Sequence, residues 1–473
     1  MVRIANPYTS HPALRVTCNV LRFILGAVFV FSGFAKAIDP LGVVYKLGEY
    51  AEMSGIAVAE PSRFLLWAAM LLSLFEFVAG VCIIFGAWRR TTLTALLVFM
   101  LLMTPLTLYL AVANPITDCG CFGEAVTLTN WQTFAKNVVL LAIVVFLLVR
   151  RHYKTLFPLI RRTWHWMVIV FAIASLYFFM RANLRHLPAV DFRPYRIGTN
   201  LEEAMTMPDS LSAPVFETFF ILEKDGKKRT FSLENYPDSS WTFVGSRSVL
   251  KKKGYIPPLH DFELTDEEGN DITARLFDPG YTFLAVIRDL RSDDMLDVLN
   301  DLYDFALLHG YPFYALTSGT DADIKRWREQ TGALYDFCYL DDITLKTIVR
   351  SDPGVLLIKD GTIVNKWSRH DIPRDGLLTD ALDRQPWAEK TREQVRHRYA
   401  KVAVWMFFPY LLLILLSYLM HRTPSDDAKN RRGHIEKEKK FFEKEKKHIK
   451  KEKKFLKKEP FATDNKTKHT YNP

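Results

Sequence analysis

Long apolar runs with few charges constrain this chain more than any other feature. A run near the ~20 residues that cross a hydrocarbon layer has few stable destinations besides a bilayer. About six runs approach that length: Val20–Ala37, Phe64–Phe85, Leu93–Val112, Phe134–Val149, Trp164–Met180 and Val402–Met420. The first lacks the small-residue cleavage pattern of a secretory leader, since Lys36, Ala37, Ile38, Asp39 and Pro40 follow it, and it reads as a retained span. With 473 residues, the chain has room for two or three units beside one another.

Basic residues in short loops are held on the cytoplasmic side of a membrane. Arg89 and Arg90 fill one loop, Arg150, Arg151, Lys154, Arg161 and Arg162 another, and lysines crowd the tail after Met420. If the spans alternate, all three fall on one side. The expectation is a bacterial inner-membrane protein with both termini cytoplasmic and residues 183–400 periplasmic. The net charge of +10 is no sign of a nucleic-acid binder, because the segment from Arg422 onward carries 18 Lys and Arg against 9 Asp and Glu. In that tail Ile435, Phe442, Ile449 and Leu456 recur at a period of seven amid Lys and Glu. A helix lying on anionic lipid and a solvated charged tail are both compatible with this pattern, the second being the usual fate of a charge run.

Between the fifth and sixth spans the composition turns polar. Arg181–Pro214 reads as a linker, and Phe216–Glu223 with Arg229–Leu233 as a hairpin about Asp225 and Gly226. From Ile256 the pattern alternates. Strands are expected at Tyr281–Ile287, Phe313–Leu316, Tyr335–Tyr339, Val355–Ile358 and Ile363–Trp367, and helices at Met295–His309, Ile324–Gln330 and Ile343–Val349. Such alternation specifies an α/β domain with a central sheet.

Five cysteines exclude a disulfide scaffold. Cys18, Cys82 and Cys338 read as packed thiols. Cys119 and Cys121 differ, being separated by one glycine in the segment Asp118-Cys-Gly-Cys-Phe-Gly123, in a loop assigned to the oxidising side. A disulfide across so small a ring is strained and easily reduced, which suits a redox pair that exchanges. A structural clasp and a metal site are the other readings, although two thiolates supply half of a tetrahedral zinc shell. Thr129 and Gln132 form the signature of a capping box and would start the fourth span just beyond the cysteines. Glu76 lies in the middle of the second span, where a charge costs roughly 2.5–3.5 kcal/mol on insertion scales. It must be protonated, paired or turned to a polar cavity, with Lys36 and Asp39 as available partners. A proton path or a quinone-side contact is one reading of it, and a neutral acid bonding a neighbouring helix is the other.

The stretches Gly26–Pro40, Glu76–Gly86, Asp118–Gly123 and Leu128–Asn137 resemble the membrane proteins of the MauE and DoxX family over residues 20–150. The resemblance implies a four-helix membrane unit in which Cys119 and Cys121 carry thiol redox chemistry. MauE proteins are linked to maturation of a disulfide-rich periplasmic dehydrogenase subunit, and DoxX-like proteins to membrane thiol or thiosulfate oxidation. Residues 256–373 resemble a thioredoxin-like domain of the TlpA kind, through the strand order and Ile343–Trp367. That kind of domain carries a cysteine pair after its first core strand, where this chain has Arg288, Asp289, Leu290, Arg291, Ser292, Asp293 and Asp294. Pro353 stands where that fold has a cis-proline beside a bound peptide; a plain proline at the start of a strand is the alternative.

The expected architecture is a membrane α-helical bundle, a four-helix DoxX/MauE-like unit plus two further spans, with a periplasmic α/β thioredoxin-like domain. Its parts are residues 1–150, a fifth helix in 151–182, a linker and hairpin in 183–255, the thioredoxin-like domain in 256–390, a sixth helix in 400–420 and a basic tail in 421–473. The expected function is a membrane-embedded thiol/disulfide relay working through Cys119 and Cys121, with Glu76 as a proton or quinone-side group and Pro353 at the partner surface. Its partners would be a periplasmic thiol protein and membrane lipid, its candidate electron carrier a membrane quinone, and no metal, nucleic acid or oligomeric state is implied. The competing expectation is a non-enzymatic envelope assembly or scaffold protein with a degenerate thioredoxin-like binding domain.

Overall fold

The computed structural model describes residues 12–56, 62–116, 118–150, 164–208, 210–224, 227–238, 240–252, 254–260, 262–291, 296–374, 376–390 and 392–421, with Glu436 and Glu443. The basic loop of Arg151, Lys154, Arg161 and Arg162, the hairpin tip Asp225–Gly226, Ser292–Asp294 and the repeat in the tail lie outside the described residues.

The membrane unit begins with α1 (Pro12–Ile38). Asp39 ends it and starts α2 (Pro40–Met53), accepting the Gly42 N–H with Pro40 at the first helical turn, a pairing of cap and proline that needs no tertiary help. This short helix lies in the stretch that joins the first two spans. The unit continues with α3 (Arg63–Phe85), opened by the Ser62 side chain and closed by Gly86 at φ 71°, and with α4 (Arg89–Ala113). A loop containing the short strand β1 (Cys121–Glu124) leads to α5 (Asn130–Val149), which opens on the expected Thr129/Gln132 capping box. Helix α6 (His165–Arg185) carries the chain to the second half.

Helices α1, α3, α4, α5 and α6 and the segment Glu393–Leu416 are six helices long and apolar enough to cross a membrane. The protein is multi-pass. Lipid tails give two helices no hydrophobic reason to associate, so close backbone approach has to do it. Gly26, Gly33 and Gly80 supply that approach between α1 and α3. A methyl on Gly33 would sit 2.6 Å from Ser73 O, and one on Gly80 2.7 Å from Gly26 O. Cys18, Leu25, Phe29, Ile83, Leu96, Met100, Val144 and Leu147 fill the bundle around this contact. Cys82 is buried as well, so both span cysteines pack as expected.

The second half contains α7 (Leu201–Met205) and a sheet of β2 (Val215–Lys224), β3 (Lys227–Ser232) and β4 (Thr242–Lys252) in the order β3-β2-β4. The expected hairpin is there, with a third strand added. Next come β5 (Thr265–Asp266), β6 (Tyr281–Val286), α8 (Leu296–Leu308), β7 (Phe313–Thr317), α9 (Asp321–Thr331), β8 (Asp336–Tyr339), α10 (Asp342–Ile348), β9 (Gly354–Lys359) and β10 (Thr362–Ser368). Their sheet has the order β10-β9-β6-β7-β8-β5. Strands β6, β7 and β8 are parallel, while β9 and β10 return antiparallel. This is the mixed-sheet α/β fold expected of a thioredoxin-like domain. Both β6 and β7 are buried at every residue because the sheet is covered on both faces. Tyr281, Phe283 and Ala285 pack with Leu299, Leu302 and Trp327, and the alternate Leu284 and Val286 pack with Leu345 and Ile348. The chain leaves through α11 (Arg392–His421).

Arg181–Pro214 is not the linker expected. Helix α6 runs to Arg185, Tyr195 and Leu201 enter the sheet's core, and Asn200 bridges to Thr362 on the edge strand. The α/β body therefore takes in residues 187–205 in addition to the expected 256–390. Its local sequence shows no periodicity because it is held by contacts more than 150 residues away.

Candidate redox site

The two cysteines are shaped by turn chemistry. Asp118 Oδ1 accepts the Gly120 N–H at 2.9 Å, and Gly123 N–H closes on Gly120 O at 3.0 Å. Gly120 has φ 64°, where a side chain costs roughly 1–2 kcal/mol. A Cβ there would also come within 2.9 Å of Lys46 Cγ. The residue between the two thiols is held to glycine twice over.

The loop's carbonyls are gripped from below and above. Tyr50 Oη on α2 donates to Cys119 O at 3.0 Å. Lys36 Nζ donates to Cys121 O, and Ser32 Oγ lies 2.6 Å from the same oxygen. Lys36 also pairs with Glu76 Oε2 at 2.7 Å, and these two side chains are only 4% and 7% exposed. Ser32 has one proton and stands 2.7 Å from Glu76 Oε2, so it serves either the carboxylate or the Cys121 carbonyl while accepting from Lys36 at 2.8 Å. The glutamate of the second span is thus paired. Of its two candidate partners Lys36 is the one used, while Asp39 is turned elsewhere.

The thiols themselves are free and unequal. A hydrogen bond from Cys119, opposed by burial and helped by the Lys136 ammonium, lowers the Cys121 thiol to about 5. Donating that bond, together with burial, pushes the Cys119 thiol well up. Burial, followed by the neighbouring cysteines, likewise keeps the Tyr50 phenol protonated. Lys136 also stands 4.5 Å over the Phe122 ring, which fixes the ammonium beside the loop. At neutral pH the pair is one thiolate and one thiol, the arrangement that thiol exchange requires.

Both cysteines line a cavity of about 750 Å³. Lys36, Glu76 and Lys136 supply its charged wall, Phe29, Phe99, Met100, Met103 and Leu140 its apolar wall, and Ile343, Thr347 and Arg350 of the α/β domain its roof. Arg350 is the fastening. Its Nε meets Asp39 Oδ2 at 2.8 Å, its Nη2 meets Glu124, and its Nη1 donates to Lys346 O at 2.6 Å. The guanidinium also stands 5.1 Å over the Tyr45 ring, whose hydroxyl accepts from Arg288 Nη1 at 2.8 Å. Burial resists ionisation of Asp39, but Arg350, Arg193 and the Gly42 N–H outweigh it and hold the carboxyl below the usual range. Glu124 is raised instead, by burial and by Asp39, against the pull of Arg350.

Pro353 does not line this cavity. Its bond to Asp352 is cis, and Ser351 Oγ donates to its carbonyl at 2.8 Å. Asp352 accepts the N–H groups of Arg288 and Asp289, each at 3.0 Å, so the turn after β6 is closed by an internal carboxylate. Cys338 is buried in β8 and burial pushes its thiol up to about 12, which makes it inert. Among the described residues no group of three or more His, Cys, Asp or Glu is placed to hold a metal ion. Sequence reasoning missed Arg350 and Lys136. Lys136 sits seven residues after Thr129, two helical turns into α5 and above the loop, a placement the capping box already fixes.

No curated protein matches the chain. Among solved structures, the thioredoxin domain of a thiol-disulfide oxidoreductase from Bacteroides vulgatus is 17% identical over 22% of this chain and 81% of that one, with a TM-score of 0.20. A thiol peroxidase from Chromobacterium violaceum is 17% identical over 24% of this chain and 75% of that one, also with a TM-score of 0.20. Residues 216–253, which hold β2 to β4, match a domain of unknown function, DUF8463. Residues 14–150, which supply Cys119, Cys121, Lys36, Glu76 and Lys136, match the family described as Methylamine utilisation protein MauE.

Proposed function

We propose that this protein is a membrane-embedded thiol–disulfide relay that oxidises a periplasmic dithiol client through Cys119 and Cys121. The observation that carries the reading is the asymmetry of the pair, a Cys121 thiolate beside Lys136 and a protonated Cys119, both facing one cavity. In the oxidised pair the lower-pKa sulfur is the better leaving group. A client thiolate attacks Cys119 Sγ, the Cys119–Cys121 bond breaks, and Cys121 departs as a thiolate held by Lys136. The client's second thiolate then attacks its own sulfur in the mixed disulfide and releases Cys119, which takes up a proton. The client gains a disulfide and the pair gains two electrons.

A membrane quinone is the proposed acceptor that returns the pair to the disulfide, taking two electrons and two protons. The apolar wall of Phe29, Met100 and Leu140 suits such a ring, and Lys36, Ser32 and Glu76 stand at its edge. Glu76 is proposed to pass protons there. The α/β domain is proposed to position the client, at the surface around Pro353, without exchanging thiols itself. We place the protein in a bacterial inner membrane with both termini cytoplasmic and residues 183–400 periplasmic, on the basic pair Arg89 and Arg90 at the start of α4 and the lysine-rich tail.

The competing reading is an envelope assembly factor whose cysteine loop is a clasp, and the roof laid over the loop by α10 favours it. Thiol trapping in intact cells separates the two. Cys121→Ser, which leaves Cys119 alone, is expected to hold a mixed disulfide with a periplasmic protein, formed when the Cys119 thiolate attacks that protein's disulfide and displaces one of its sulfurs as a thiolate. A native pair that never changes oxidation state, with variants that trap nothing, would establish the assembly reading.

A further inference from the structure

Two adjoining cavities, of about 360 Å³ and about 290 Å³, open where the chain leaves α6 and where it enters α11. They share Leu187, Lys366, Trp367, Lys390 and Arg398. The acids there are already committed. Asp191 holds Lys366 at 2.9 Å and Arg193 at 2.8 Å, and Asp371 is bound by His186 Nδ1 at 2.7 Å and Ser368 Oγ at 2.6 Å. Lys366 is likewise spent, giving its remaining bonds to Tyr195 O and Ile348 O.

What remains unanswered is positive. Lys390 is half-buried, and the acid that favours its ammonium is Asp371, whose carboxylate is already engaged by His186 and Ser368. Burial, and then the neighbouring Arg398, depress its ionisation against the pull of Asp371. Arg398 spends one bond on Leu187 O at 3.2 Å and is otherwise exposed. Arg196 adds a third cation on the rim of the larger cavity. Trp387 Nε1 is buried with no acceptor, and its ring meets Trp367 edge-on with centroids 5.8 Å apart. A half-buried ammonium beside a guanidinium, only partly offset by Asp371 and next to an unsatisfied N–H donor, gains from a further anion.

The height of this cluster identifies the anion. Arg185 is the last residue of one span and Glu393 the first of the next, so the cavities open at the level where a bilayer ends. Tryptophan pairs and basic side chains gather at that level, where phosphate groups are most concentrated. We propose that Lys390, Arg398 and the Trp387 indole N–H form a site for a phosphate group, that of an acidic phospholipid, at the joint between the membrane unit and the α/β domain. The site makes the α/β domain's seating on the membrane depend on lipid charge.

The test uses the full native chain reconstituted in vesicles of phosphatidylcholine alone, in vesicles containing phosphatidylglycerol, and in phosphatidylcholine with added inorganic phosphate. Acetylation by an amine-reactive ester is read by mass spectrometry at Lys390, with the exposed Lys325 on α9 as internal reference. Several-fold protection of Lys390 by phosphatidylglycerol, with Lys325 unchanged and no effect of free phosphate, is expected. Equal protection by inorganic phosphate would keep the phosphate site and overturn the lipid as its source. Equal labelling of Lys390 in all three would overturn the site, as would protection that survives Arg398→Gln undiminished.

Discussion

Two turns of this molecule, the cysteine loop and the turn after β6, are fixed in opposite ways. At Cys119–Cys121 the side chains of Tyr50, Ser32 and Lys36 hold the backbone carbonyls, while the sulfurs line the cavity beside Thr133 and Lys136. At Arg288–Asp289 the backbone N–H groups are filled by Asp352, and the arginine side chain is directed across to Tyr45 of the membrane unit. The first turn is fixed so that its side chains are available, and the second is fixed and then used as a fastening. The turn after β6 thus helps hold a roof of the α/β domain over the turn that bears the cysteines.

The comparison breaks most directly at Cys121. Cys121→Ser is expected to lower thiol exchange by at least about 100-fold in a reconstituted dithiol oxidation assay, since the better leaving group is lost. Residual exchange near the native rate would place the chemistry elsewhere. Arg350→Ala is next in size. It strips Asp39 and Glu124 of a buried counter-charge, and a cost of about 3 kcal/mol is expected in thermal unfolding, with faster alkylation of Cys119 as the roof loosens. An unchanged melting point would mean that the two carboxyls are satisfied without it.

Glu76→Gln removes the carboxylate that neutralises Lys36. A drop of about 100-fold in reoxidation of the pair is expected if that carboxylate moves protons, with the initial client exchange little changed. Full activity of the variant would end its role in proton transfer. A smaller shift is expected at Lys136. Native alkylation of Cys121 should follow a titration near about 5, so the thiolate is complete at neutral pH and is lost as pH falls through that value. Lys136→Met should move this inflection up by about 1 pH unit, and Cys119→Ala should move it further, because the cysteine hydrogen bond is the larger cause. The smallest effect belongs to the other turn. Asp352→Ala should cost about 1 kcal/mol of stability and leave the Cys121 titration untouched, which a paired melting and alkylation series would check.

The spans were legible in the sequence because hydropathy over a helix length is a local property, and so was the Thr129 capping box that fixes the end of the cysteine loop. The central strands from Tyr281 to Trp367 were legible for a similar reason, their buried runs being broken by turns. Helix α2 left a signal that was passed over, an Asp39 cap followed by Pro40, since its polar face of Lys46, Glu49 and Tyr50 resembles a loop. Strand β4 carries alternating residues that compete with a short strand reading only once its partner is known. Tyr195 and Leu201 left no signal at all, because their burial depends on the distant edge strand β10. Glu76 announced itself through the cost of a charge in lipid, and its pairing with Lys36 was within reach. Arg350 could not be found in this way, being one arginine among many until the fold brings Asp39 and Glu124 to it.

The position of the α/β domain in the chain has a kinetic consequence. It is inserted between α6 and α11, so both of its ends are anchored in the bilayer. A free carrier must find its membrane partner by diffusion, at a rate that rises with its abundance. Here the roof and the thiols share one covalent frame, and their encounter is set by an effective concentration that dilution cannot change. Any opening and reclosing over Cys121 is therefore unimolecular, and its rate should be the same at high and low expression of the protein.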